Sequence, residues 1–177
     1  MTSESVVERT RANAELDGVA ADIGLLIVRV VFGGLLAAHG AQKLFGWWDG
    51  PGWQENADGF EQMGYNPGEV FGTLAGLTEL GGGLLLLLGL LTPLAGAIVL
   101  GTMINAINAI WSGGLLGGYE MGLMFAVVGA AFPFIGPGRF ALDAGRPWGR
   151  HGFVWGMGAL LLAVVTGVLT LALKWTL

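Results

Sequence analysis

Glu79 lies in an apolar run, Val70–Leu91, that holds no other ionisable residue. Insertion scales put an acidic residue at the centre of a membrane helix at roughly +2.5 to +3.5 kcal/mol. Residues that bear such a cost usually face a bundle interior and mark a functional site. Other polar residues are set into apolar stretches nearby in the sequence: Arg29, His39 and Lys43, then Asn105 and Asn108, then Glu120. A carboxylate and an imidazole exchange protons, and an ammonium stabilises an anionic oxygen. The inventory therefore suits proton exchange at a small ligand. The competing reading is hydrogen-bonding glue between helices, which is worth about 0.6 kcal/mol per contact.

The elements that must position these residues are membrane helices. The chain has 177 residues, 54% hydrophobic and 12% charged, with a mean hydropathy of +0.68. Ordinary soluble domains carry about 25% charged residues. Five apolar segments stand out, at Ile23–Phe45, Val70–Leu91, Leu94–Trp111, Tyr119–Ile135 and Phe153–Leu173. Each approaches the roughly 20 residues that a span needs. Thr92-Pro93, Gly113-Gly114, Gly117-Gly118 and Gly136-Pro137-Gly138 punctuate them. The expected fold is all-α, a polytopic membrane helix bundle. The acidic balance, net −5, offers no footprint for nucleic acid. The absence of cysteine excludes thiol chemistry within this chain. No metal-ligand spacing is present.

Lys and Arg set the expected orientation. Arg9 and Arg11 precede the first segment, and Arg139, Arg146 and Arg150 lie between the fourth and fifth. Both regions are expected in the cytoplasm. The loop Gly46–Glu69 has five acids and no Lys or Arg, so it belongs outside with the C-terminus. On that topology His39, Lys43, Glu79, Asn105, Asn108 and Glu120 all fall in the outer half.

Helical phase adds a facing direction. Arg29, Gly33, Gly40 and Lys43 share a face with His39 on its flank, Gly72, Gly76, Glu79 and Gly83 share another, and Gly101, Asn105 and Asn108 a third. Glycines mark close helix contacts. The expected network joins Glu79 to His39 and Asn105, and Lys43 to Glu120. Arg29 either reaches Glu79 or snorkels to the cytoplasmic interface. Trp47 and Trp48 belong either to an aromatic belt or to a flat surface for a quinone-like ring.

Four motifs resemble those of DoxX-like membrane proteins. They are His39-Gly40-Ala41-Gln42-Lys43-Leu44-Phe45-Gly46, then Glu79-Leu80-Gly81-Gly82-Gly83 with Gly89-Leu90-Leu91-Thr92-Pro93, then Tyr119-Glu120, then Gly136-Pro137-Gly138-Arg139-Phe140-Ala141-Leu142-Asp143. The last has Ala141 where the family pattern has Ser. The resemblance covers about residues 23–143 and implies a four-helix membrane core. Residues 1–22 are then a cytoplasmic tail, and residues 144–177 a cytoplasmic linker and an extra transmembrane helix. The family takes its name from membrane subunits of a thiosulfate:quinone oxidoreductase. Other members are linked to a membrane oxidoreductase complex with a superoxide dismutase and a sulfurtransferase.

The resemblance implies a bacterial inner-membrane subunit of a quinone-linked redox complex. Its partners would be the bilayer and other subunits, and a homo-oligomer is compatible with it. Glu79, His39 and Lys43 would be its catalytic residues, with Asn105, Asn108, Glu120 and Arg29 around them. Two other readings stay open: a non-catalytic scaffold or assembly subunit, and, less favoured, a small-solute permease.

Overall fold

The computed structural model describes residues 3–176. Its helices are α1 (Ser3–Val28), α2 (Gly34–Phe45), α3 (Gly52–Gln62), α4 (Gly68–Leu88), α5 (Thr92–Ala109), α6 (Glu120–Ile135) and α7 (Phe153–Thr176). No strand occurs among the described residues. A π-helical turn, Arg29–Gly33, joins α1 to α2 without a break in helical backbone. The five expected spans are all present as long apolar helices, the first as part of a longer rod. At about 1.5 Å per residue that rod exceeds the roughly 30 Å hydrocarbon core. The polar first half of α1 is therefore a helical projection beyond the bundle.

The α1–α2 rod packs antiparallel on α4 through glycines spaced seven apart on each side. A Cβ on Gly33 would overlap the Leu87 backbone, and one on Gly40 the Leu80 backbone. On the other helix, Gly76 meets the Leu44 side chain and Gly83 the Ala37 backbone. The glycine stripes thus let two backbones approach closely. Leu36, Val99, Met103 and Phe125 form the core where α2, α5 and α6 meet.

The fifth span is integral to this packing. Gly101 of α5 lies against Ala163 and Thr166 of α7, and Gly167 against Ile104. Gly156 lies against Phe134 of α6.

The bundle has two unlike ends. At one, α3 forms a cap over the α2 and α4 ends. Asn56 Nδ2 donates to Gly72 O (2.9 Å), and Trp53 Nε1 donates to Thr73 Oγ1 (2.7 Å). The opposite end carries Arg139, Arg146 and Arg150. There Arg139 donates from its backbone N (3.0 Å) and its Nε (2.6 Å) to the Asp22 carboxylate, which fastens the loop after α6 to α1.

Candidate functional site

Glu79 sits near the middle of α4 and is 4% exposed. Its Oε1 accepts a hydrogen bond from Lys43 Nζ, in the last turn of α2. The ion pair has a simple local origin. Gly40 and Gly76 bring α2 and α4 so close that the flexible stem of Lys43 reaches back over Glu79. Glu79 Oε2 is buried without a partner among the described residues.

The pair borders a cavity of about 300 Å³. Its floor is α5, at Ile98, Gly101, Thr102 and Asn105. Its flanks are α4, at Leu74, Ala75 and Thr78, and α7, at Thr166, Gly167 and Thr170. Phe60 and Tyr65 of the cap close its upper end. Leu74 and Thr166 are exposed on their helix surfaces, so the cavity is a cleft that opens sideways between α4 and α7.

Asn105 fixes one polar position in the floor. Its Nδ2 donates to Gly101 O and to Gly167 O, each at 3.2 Å. Two carbonyl partners require the amide nitrogen on that side. Asn105 Oδ1 is thereby turned away and is buried without a partner among the described residues. Tyr65 OH donates to the Asn105 backbone oxygen at 3.4 Å. Burial raises the Tyr65 phenol above its usual 10.0. Lys174, near the end of α7, lies 4.2 Å from the centre of the Tyr65 ring. This cation–π contact joins the last span to the cap.

Of the expected residues, the structure gathers Glu79, Lys43 and Asn105 around one cleft. It does not join His39 to Glu79. His39 turns toward α6 and meets the Phe125 ring edge-on, with centroids 6.3 Å apart. Nor does Lys43 reach Glu120, which is exposed in the first turn of α6. Asn108 is exposed. Trp47 and Trp48 are also exposed, on a short turn after α2, packed edge-on at 5.6 Å. Gly101 and Asn105 of α5 pack on α7 and line the cleft across from α4.

Arg29 neither pairs with Glu79 nor snorkels. It is 1% exposed, at the Arg-rich end. Its guanidinium donates to Phe140 O (2.9 Å) and Leu87 O (3.4 Å), and any side chain at Gly89 would collide with it. The cleft residues that sequence reasoning missed are Phe60, Tyr65, Thr166 and Thr170. The i, i+4 spacing of Thr166 and Thr170, in a span without ionisable residues, was the one available signal for the wall.

A multi-pass membrane bundle with a carboxylate and an ammonium paired beside a lateral cleft is the class of protein that these observations define. Residues 24–112, half of the chain, match the DoxX family. The protein belongs to the DoxX family. The matched region holds Arg29, His39, Lys43, Glu79, Asn105 and Asn108, and it ends before Glu120 and the Gly136–Asp143 motif. The α7 wall of the cleft also lies outside it. No curated protein and no solved structure matches the chain.

Proposed function

We propose that this protein is the membrane subunit of a quinone-linked redox complex and that the cleft between α4 and α7 is its quinone site. One observation carries the reading: the ion pair of a half-exposed Lys43 with a buried Glu79 stands at the side of a cleft that opens between two membrane-spanning helices. A ligand that reaches such a site from lipid needs an apolar body and a small polar head. Pockets of this kind combine an apolar lining with a few polar groups that orient the ligand. The cleft has apolar and aromatic walls at Phe60, Phe71, Leu74 and Ile98.

The polar atoms fit a quinone head. Lys43 is the donor to a carbonyl or phenolate oxygen. Glu79 and Asn105 each have a buried oxygen without a partner, which suits an acceptor role toward the hydroxyl of a reduced ring. When bound, a quinone supplies a carrier of two electrons and two protons. In this reading Glu79 takes or gives the proton, Lys43 balances the charge left on Glu79, and Asn105 orients the ring. His39 faces α6 and serves packing. A partner subunit is the electron donor. The Arg-rich end is cytoplasmic, by the excess of Lys and Arg there, so the cleft lies toward the outer face of the inner membrane.

The test is a Glu79→Gln variant in the purified complex with a quinone acceptor. It should insert and assemble, yet lose turnover by at least about a hundredfold, the scale of a removed general acid or base. Wild-type turnover in that variant would refute the proposal and leave Glu79 as helix-packing glue.

A further inference from the structure

A second cavity, of about 450 Å³, lies at the Arg-rich end. Its apolar floor is Leu91, Pro93 and Leu94, at the start of α5. Its rim is Trp148, Arg150 and Trp155. The Arg150 guanidinium stacks over the Trp155 ring at 5.8 Å, and Arg146 stacks over Trp148 at 5.7 Å. None of this lies within the residues that match the family, apart from the floor.

Asp22 and Asp143, the acids nearest in the fold at this end, are engaged away from Arg146 and Arg150. Asp22 is taken by Arg139. Asp143 is buried and accepts from Thr92 N and Thr92 Oγ1. Arg146 and Arg150 form no ion pair among the described residues. Arg150 therefore stands without an ion-pair partner on the rim of a hollow whose floor is leucine and proline, and Arg146 lies against Trp148 of the same rim. Leu91, Leu94, Trp148 and Trp155 are all exposed. Trp side chains sit where headgroups meet hydrocarbon, and basic pockets at that level take lipid headgroups.

We infer that this cavity holds an anionic phospholipid, with its phosphate on Arg146 and Arg150 and the upper part of an acyl chain against Leu91, Leu94 and Trp155. A cation–π contact with tryptophan takes up no N–H donor of the guanidinium, so both arginines keep donors for the bidentate contact that phosphate oxygens accept. An apolar floor beneath a cationic rim matches a lipid better than a soluble anion, which would leave the floor uncovered. The inference is independent of the quinone cleft, which lies at the other end of the bundle.

The experiment is competitive lipid binding to the full-length purified protein, read by native mass spectrometry with equimolar phosphatidylglycerol and phosphatidylcholine. The wild type should favour phosphatidylglycerol by roughly tenfold or more, given about 1 kcal/mol for each basic residue at the surface. An Arg146→Ala, Arg150→Ala double variant should lose that preference, and Arg146→Lys, Arg150→Lys should keep most of it. The lysine variant has the same surface positions changed and so controls for folding. Inorganic phosphate should not displace the lipid. A wild type with no preference, or an alanine variant with the wild-type preference, would overturn the inference. Displacement by inorganic phosphate would also overturn it and identify a soluble-anion site instead.

Discussion

The two ends of the bundle treat buried charge in opposite ways. At the Arg-rich end, Arg29 is spent on backbone. It holds the Leu87 and Phe140 carbonyls, and Asp143 caps the start of α5 through Thr92. Leu142 N and Asp143 N donate to Leu88 O and Gly89 O, both at 3.0 Å. These bonds pin the α4–α5 turn, where Leu91 is held at a φ of 48°. A bulky residue in the left-handed region persists only where its surroundings fix it. At the cap end, Lys43 and Glu79 spend their charge on each other, beside an open cleft, and leave Glu79 Oε2 unpaired. Arg29 Nε and Asp143 Oδ1 are also buried without a partner among the described residues, so what sets the cap end apart is the cleft beside its pair. An unsaturated pair next to a void is what a ligand needs.

Removing each charge should separate the two roles. Arg29→Ala leaves a cavity and two carbonyls without their donor, so it should cost about 3 kcal/mol or more. Asp143→Ala should cost about 1–2 kcal/mol, the usual loss for an N-terminal cap. Glu79→Gln keeps shape and can still accept from Lys43, whose ammonium is partly exposed, so its cost should stay below that of Arg29→Ala. Unfolding curves of the purified variants in one detergent check this order. If Glu79→Gln proved as damaging as Arg29→Ala, the contrast between the ends would collapse and the cap-end pair would be a clasp too.

A smaller effect tests the cap. Tyr65 has its phenol raised above 10.0 by burial. The folded state thus holds that proton more tightly than the unfolded chain. Stability from this group is fully present below pH 10 and is lost as pH rises through the folded value. The wild type should therefore lose stability above pH 10 more steeply than Tyr65→Phe. Equal alkaline slopes would mean that the cap does not bury Tyr65.

The spans were legible in the sequence because length and apolarity decide them with little reference to context. Val70–Leu91 and Thr92-Pro93 mark a helix and its break whatever they pack on. The glycine stripes were legible as well, since Gly33, Gly40, Gly76 and Gly83 recur at helical spacing. Which stripe meets which was not. Periodicity gives each helix a face but no partner, and so the Asn105 amide, expected to join Glu79, bonds the Gly167 carbonyl of α7 instead while lining the cleft that Glu79 borders. The partner of Glu79 was also hidden. Lys43 lies on the α4-facing side with Gly40 and meets Glu79, whereas His39 turns to Phe125 of α6. Arg29 looked costly in a span because sequence alone does not reveal carbonyls such as Phe140 O, brought from 111 residues away.

In the proposed function, the cleft between α4 and α7 takes a quinone from the bilayer. A photoreactive quinone analogue with a lipid tail tests it most directly, with the attachment sites read by peptide mass spectrometry. Labelling should concentrate on the α4, α5 and α7 residues around Ala75, Thr102, Asn105 and Thr166. It should fall at least about tenfold in Ala75→Phe, whose ring fills the cleft beside Glu79, as expected when a pocket loses the volume that its ligand needs. Labelling spread over the lipid-facing surface, or undiminished in Ala75→Phe, would contradict the account.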